Sequence, residues 1–294
     1  MRSGVLIIAL GYPLYGSCAF NLAMSLRAYD SAIEICVLHD DQSISHLTEK
    51  EKGIFNELIF IEPDAYTIAG SKQYQYLKLC ADLYSPYDNT TVIDADTIWF
   101  PDKKFSWFLG EMIHREFWIG YNDEYNIAKR SARSMNYTFW APGTTPNQAA
   151  EKVIDYHKLT NNLPQTVSGL FFFKKGKFAA EVFERARKVY NEPSPNVPWA
   201  NGKPDEYCFN VALSQMAYTQ QPGHVVYFDK VCGKQSYESI YGNYWCMANG
   251  GARCEAFIVN LYNKLVKKYA VRLGYENLYF HQNKEESIPE RKIF

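Results

Sequence analysis

The chain is expected to fold as an α/β protein, with a mainly parallel central sheet and helices on both faces. Three observations predict this. Short, mainly apolar runs, Val5 to Leu10, Ile33 to Leu38 and Thr91 to Ile93, have the character of strands buried on both sides. Between the first two, Ala19, Leu22, Ala23 and Leu26 recur at helical spacing. Acidic residues close two of the runs, Asp40 after the second and Asp94-Ala95-Asp96 after the third, and strand ends are where open α/β sheets take ligands.

Taken in order, residues 4–10 are the first strand and 17–29 the first helix. Ile33 to Leu38 is the second strand, ending at His39-Asp40-Asp41. A helix over 74–84 sets Leu77, Cys80, Ala81 and Tyr84 on one face. The next strand passes through Asp94-Ala95-Asp96 into Thr97-Ile98-Trp99-Phe100, and this alternation marks a nucleotide-binding half ending near residue 110. Beyond it, Phe117 to Tyr121 is a strand, 123–146 a loop and 147–160 a helix. Val167 to Phe173 is an apolar strand, and 177–190 is an amphipathic helix through Phe178, Val182, Phe183 and Ala186. Four prolines make Asn191 to Pro204 a loop, and Asp205 is suited to cap the helix after it. His224 to Phe228 and Ala256 to Asn260 are expected as late strands, followed from Leu261 by a helix bearing Lys264, Lys267, Lys268 and Arg272. The organisation that results is a single domain over 1–264, with halves 1–110 and 111–264, then a C-terminal helix and tail over 265–294.

At 294 residues and 47% hydrophobic content the chain can bury a large core, and a net charge of −1 gives no global field for nucleic acid or an anionic membrane. Seven scattered cysteines without a C-x-x-C pair suit reduced thiols and a cytoplasmic protein. Arg2 with Val5 to Leu10 imitates a signal peptide, but the apolar run is too short, and no run approaches membrane-spanning length. Asn89 and Asn136 each open an N-x-T triplet, a pattern that is common by chance.

Two carboxylates at i and i+2 on a strand end can hold a hard divalent cation, and such a cation bridges the phosphates of a nucleotide. Asp94 and Asp96 are therefore the expected anchors for Mn²⁺ or Mg²⁺, against the plain alternative of two solvated acids in a turn. Around them, Tyr76 to Asp88 followed by Thr91 to Thr97 resembles the core of retaining glycosyltransferases of the GT-A fold, closest to glycosyltransferase family 8, the glycogenin and galactosyltransferase type. Looser matches follow in the same order. Ser168-Gly169-Leu170-Phe171 resembles the family's Asn-Ser-Gly strand. Pro204 to Asn210 resembles its Asp-Gln…Asn helix start, and Phe257 to Tyr262 its late strand ending in a metal-binding His.

The resemblance implies a metal-dependent enzyme that moves a sugar from a nucleotide-sugar donor, a UDP-sugar, to a hydroxyl of a glycan, small-molecule or protein acceptor, with retention. It places Lys78 at the donor's phosphates or sugar, and Asp205 beside the reacting carbon with Glu206 as its partner. Asp123 stands where the family has a sugar-contacting acid. Donor contacts are assigned to Leu10, Gly11, Tyr12 and Tyr15 after the first strand, to Asp40 and Ala95 at strand ends, to Ser168 and Gly169, and to Lys264 as a diphosphate-binding cation. Asn260 takes the place of the metal-ligating His. Such enzymes often dimerise, so a homodimer is admitted.

Two departures stand out: Val167 replaces the family's sugar-binding Asn, and Asn260 is a neutral, weaker ligand than His for transition metals. They keep a catalytically decayed nucleotide-sugar-binding protein in view. A sugar-phosphate nucleotidyltransferase is disfavoured, because Gly11 to Ser17 has no Arg or Lys to cradle phosphates. A second acceptor class comes from aromatics around the 123–146 loop, namely Trp118, Tyr121, Tyr125, Tyr137, Phe139 and Trp140, interleaved with Lys129, Arg130 and Arg133. Basic and aromatic residues together suit extruded bases, so a DNA-modifying glycosyltransferase acting on hydroxymethylated bases is the alternative.

Overall fold

The structure, a computed structural model, describes residues 1–131, 145–193, 203–218, 245–248 and 256–279. In chain order its elements are β1 (Ser3–Ala9), α1 (Pro13–Arg27), β2 (Glu34–His39), the short helices α2 (Asp41–Ile44) and α3 (Glu49–Lys52), β3 (Glu57–Phe60), and a ribbon of β4 (Thr67–Ile68) and β5 (Ser71–Lys72). A 3₁₀ helix (Tyr74–Cys80) runs into α4 (Ala81–Tyr84), then come β6 (Asn89–Asp94), β7 (Thr97–Trp99), α5 (Phe105–Met112), β8 (Phe117–Tyr125), α6 (Pro146–His157), β9 (Leu163–Lys174), α7 (Lys177–Asn191), α8 (Asp205–Gln215), β10 (Cys246–Ala248) and α9 (Ala256–Leu273). These residues gather into two compact units, one from 1–62, 85–115 and the described part of 224–293, the other from 63–84 and 116–223.

The first unit is built on four parallel strands in the order β3-β2-β1-β6. Strand β1 lies inside, so Val5, Leu6, Ile7 and Ala9 are all fully buried, which is why its sequence is apolar without alternation. Burying the Val5, Leu6 and Ile7 side chains contributes about 1.5–3 kcal/mol of transfer free energy each. From β1 the chain steps outward to β2 and β3, then returns to β6 on the other side of β1. The reversal creates a topological switch point between the carboxyl ends of β1 and β6. Helix α1 starts four residues before the expected boundary because Pro13 occupies its first turn, where a missing N–H costs nothing. At Gly16 its backbone meets α2 so closely that a Cβ there would lie 1.9 Å from the Ser43 carbonyl oxygen.

One expectation is overturned here. Ala256 to Asn260 is the start of the 18-residue helix α9 and is not a strand. A short apolar run carries no periodicity of its own, and the helix is fixed by its later turns, where Leu261, Tyr262, Leu265, Val266, Tyr269 and Ala270 form a buried stripe. Two polar bonds lock this helix down: the Tyr269 hydroxyl donates to the Trp99 carbonyl at 2.7 Å, and Asn21 Nδ2 donates to the Tyr262 hydroxyl at 3.2 Å.

In the second unit, β8 and β9 pair antiparallel, and α7 and α8 pack beside them around Phe117, Phe171, Phe183 and Phe209. Strand β8 extends past the expected end to Tyr125, so Asp123 lies in a strand opposite Gln165 and not in a loop. The register breaks once sharply: Ile119 pairs with Phe171, but Gly120 pairs with Val167, which leaves Ser168, Gly169 and Leu170 out of the ladder. Gly120 permits this, because a Cβ there would meet the Val167 carbonyl oxygen at 2.8 Å.

Helix α6 ends in His157, whose Nε2 is 2.7 Å from the Tyr207 hydroxyl. Burial pushes this imidazole below its ordinary pKa of 6.5, with Glu192 opposing the shift and Lys203 adding to it. A depressed histidine is neutral in the fold but takes a proton once unfolded, so the unfolded state binds more protons as pH falls. The melting temperature is therefore expected to be on a plateau above the ordinary histidine value and to fall as pH is lowered below it, and His157→Gln is expected to flatten that slope in calorimetric scans between about pH 7 and about pH 5.5. A wild-type slope that persists unchanged in the variant would remove His157 as the cause.

Among the described residues no helix is long and apolar enough to cross a membrane. The described cysteines, Cys18, Cys36, Cys80, Cys208 and Cys246, are buried free thiols. Asn89 is 1% exposed and donates to Ser3 Oγ at 3.0 Å, so the folded chain cannot present it for glycosylation. Asn136 lies outside the described residues.

Candidate active site

In the first unit the candidate residues converge at the switch point. Asp94 is the last residue of β6 and pairs in register with Ile8, two residues before Leu10. Ala95 and Asp96 form the turn into β7, with Ala95 buried and both carboxylates half-buried. Gly11 has φ 84°, a left-handed conformation that only glycine adopts without strain. Its N–H donates to Asp40 Oδ2 at 2.8 Å, while Asp40 Oδ1 accepts from the Ser43 N–H at 2.9 Å as the N-cap of α2. Asp40 is 6% exposed, so its carboxylate holds the β1 loop in place from below. Leu10 is buried, whereas Tyr12 is 46% exposed and tilts towards Tyr15 at a ring separation of 6.4 Å.

Beneath Asp96, burial and then the negative charge of Asp96 push the Cys18 thiol above its ordinary value. Burial, the Cys18 thiol and the Asp96 charge likewise push up the Tyr262 phenol. Two half-buried carboxylates with hard oxygen donors match what Mg²⁺ or Mn²⁺ needs when substrate phosphates complete the shell. Among the described residues no group of three or more His, Cys, Asp or Glu is placed to hold a metal ion. Asn260 and Lys264 are both exposed on α9, one turn apart, in a helix rather than at a strand end. His224 and His281, other conceivable ligands, lie outside the described residues.

The second unit carries the other set. Lys78, on the 3₁₀ helix, places Nζ 3.3 Å from Asp205 Oδ2 and donates to Ser168 Oγ at 3.3 Å. Ser168 is fully buried and Asp205 is 4% exposed. Ser168 is one of the three β9 residues that the register break leaves without a β8 partner. Asp205 is not the expected cap of α8: Pro204 is the N-cap and Asp205 is the first helical residue, making no side-chain cap bond. The carboxylate is still favoured there by the helix dipole, and its partner is Lys78. Glu206 follows half-buried, and Gly169 is buried in the bulge. Segment 74–84 is helical as expected, but its first seven residues are 3₁₀ and only Ala81–Tyr84 is α.

Of the aromatic residues considered for base stacking, Trp118 and Tyr125 are 1% and 2% exposed and serve as core. Arg130 is engaged with Glu151 at 3.2 Å. Tyr137, Phe139 and Trp140, with Arg133, lie outside the described residues.

No protein-family model and no curated protein sequence matches this chain. The fold is nonetheless recognisable: it is the GT-A fold, and the solved structures it resembles are glycosyltransferases. One is the bifunctional glycosyltransferase WbbM in its apo form, at 16% identity and TM-score 0.58 over 92% of this chain and 50% of that one, so this chain spans half the length of WbbM. Another is the galactosyltransferase LgtC, solved with donor and acceptor sugar analogues, at 11% identity and TM-score 0.50, covering 90% of this chain and 95% of that one. An active-site mutant of LgtC matches at 10% identity and TM-score 0.52 with the same coverage.

Proposed function

We propose that the chain is a divalent-metal-dependent glycosyltransferase that moves a sugar, with retention, from a UDP-sugar to an acceptor hydroxyl. The observation that carries the reading is the Asp94-Ala95-Asp96 turn at the carboxyl end of β6, beside the glycine turn that follows β1. In the first unit, Asp94 and Asp96 would hold the cation, with Asn260 as a further oxygen donor and Lys264 as a cation for the diphosphate. Leu10, Gly11, Tyr12 and Tyr15 would take the base, with Asp40 supporting their loop. A divalent cation, when bound, supplies positive charge to the diphosphate.

The protein's own groups carry the rest of the chemistry. As the bond from the anomeric carbon to the diphosphate oxygen breaks, Lys78 offers a fixed cation to the negative charge that develops. Asp205 faces the positive charge left on the sugar, and Glu206 and Asp123 orient sugar and acceptor hydroxyls. Ser168 and Gly169 line the donor side of β9. The acceptor oxygen forms the new bond, and its proton passes to the departing diphosphate, so no strong protein base is required. The whole molecule would work as a cytoplasmic enzyme on a glycan, small-molecule or protein acceptor.

The test is a thermal-shift panel of nucleotide sugars with and without Mn²⁺, followed by hydrolysis and transfer assays. Metal-dependent stabilisation by one UDP-sugar, with turnover, is the expected result. Stabilisation without turnover would favour the decayed-binder reading, to which Val167 and Asn260 point. No stabilisation by any nucleotide sugar would sink both.

A further inference from the structure

We infer that α7 is a clamp that fixes Lys78 against Asp205, with Arg187 and Lys203 as its positioning residues. The inference rests on the proposed role of Lys78 in donor chemistry. Lys78 sits on seven residues of 3₁₀ helix, a form with poorer hydrogen bonds that seldom runs beyond three or four residues. Such a segment needs outside support to stay in place, and α7 supplies it at both ends. Arg187 Nη1 donates to the Leu79 carbonyl at 2.8 Å and to Asp82 Oδ1 at 2.6 Å, while Nη2 reaches Asp82 Oδ2 at 3.4 Å. The guanidinium fork thus seizes a main-chain carbonyl and a carboxylate just beyond Lys78. One turn along α7, the Tyr190 hydroxyl donates to Gln73 Oε1 at 3.0 Å, and its ring packs on Tyr76 at 5.0 Å. Gln73 is the residue immediately before the 3₁₀ helix and is 3% exposed.

The same helix also holds the acid. Lys203 Nζ donates to the Val189 carbonyl at 2.6 Å and to the Glu192 carbonyl, at the C-terminal end of α7, where a cation suits the helix dipole. Lys203 lies two residues before Asp205 and is 8% exposed, so the start of α8 is tied to α7 by a buried bond. One rigid helix therefore sets the positions of both members of the 3.3 Å Lys78–Asp205 pair. Burial of the Arg187–Asp82 pair, with side chains 19% and 12% exposed, makes it a fixed strut rather than a surface contact.

The experiment is a double-mutant cycle in the full chain. Arg187→Met is expected to lower kcat for donor turnover about tenfold, with donor KM little changed, because the bound donor meets a displaced ammonium. In a Lys78→Met background the same change is expected to cost nothing further, since the group being positioned is gone. A purely structural role would cost the same in both backgrounds, and that result overturns the inference. Tyr190→Phe removes only one hydroxyl, keeps the fold, and is expected to show a smaller effect of the same kind. A second arm needs no turnover: amide hydrogen exchange over residues 74–84 is expected to speed up in Arg187→Met and Tyr190→Phe, with β1 and β6 unaffected. Unchanged exchange there refutes the clamp even if the chain proves inactive, and inactivity of the wild type by itself refutes only the enzymatic reading.

Discussion

Asp96→Asn and Asp94→Asn are each expected to remove cation-dependent donor binding and to lower kcat/KM about a thousandfold, a loss of about 4 kcal/mol in transition-state stabilisation. The two carboxylates stand at i and i+2 across the turn between β6 and β7, both half-buried, so each contributes a full charge in a partly dry setting. Asparagine keeps the shape and one oxygen but loses that charge, and a hard cation held by two carboxylates and phosphates cannot spare one. Titration calorimetry of Mn²⁺ with UDP-sugar, alongside initial rates, checks this. A variant that binds metal and donor as tightly as the wild type would refute the assignment. The fold should survive, because Ala95 and the strands on either side carry the packing.

Lys78→Met is expected to destabilise the fold by about 3 kcal/mol and to reduce donor turnover about a hundredfold. The stability loss follows from burial: Asp205 is 4% exposed, and the variant removes the ionic partner it has among the described residues, the Lys78 ammonium. Removing one member of a buried pair costs far more than the net worth of the pair, because the other charge stays in a low-dielectric place. The double variant Lys78→Met with Asp205→Asn should therefore recover most of the stability while staying inactive. Urea unfolding at constant m-value measures the first effect and donor hydrolysis the second. If the double variant were no more stable than Lys78→Met alone, the charge argument would fail.

Much of the first unit is legible in the residue pattern. Val5 to Ala9 of β1, Ile35 to Leu38 of β2 and Val92-Ile93 of β6 are apolar without alternation because those stretches are buried. The Asp94-Ala95-Asp96 turn is visible because it follows a buried strand, and strand ends are where open α/β sheets take ligands. Legibility fails where residues are defined by distant partners. Phe257 to Val259 passes for a strand since three apolar residues fit either period, and the helix depends on the buried stripe further along α9. Asp205 passes for a cap since any acid at a helix start does, whereas its partner lies 127 positions earlier in the chain at Lys78. Arg187 and Lys203 leave no trace at all, because on an amphipathic helix or before one a basic residue looks solvated.

By itself, the sequence determined the α/β class, the parallel strands, the strand-end carboxylates and the glycine turn, all of which follow from local periodicity and from what single residues permit. The tertiary structure alone decided that β9 breaks register against β8 at Ser168, that a 3₁₀ helix delivers Lys78 to Asp205, and that α7 braces both. The physical reason is range. Strand and turn preferences act over a few residues, while burial of a charge pair is an interaction between segments whose meeting only the folded chain can arrange.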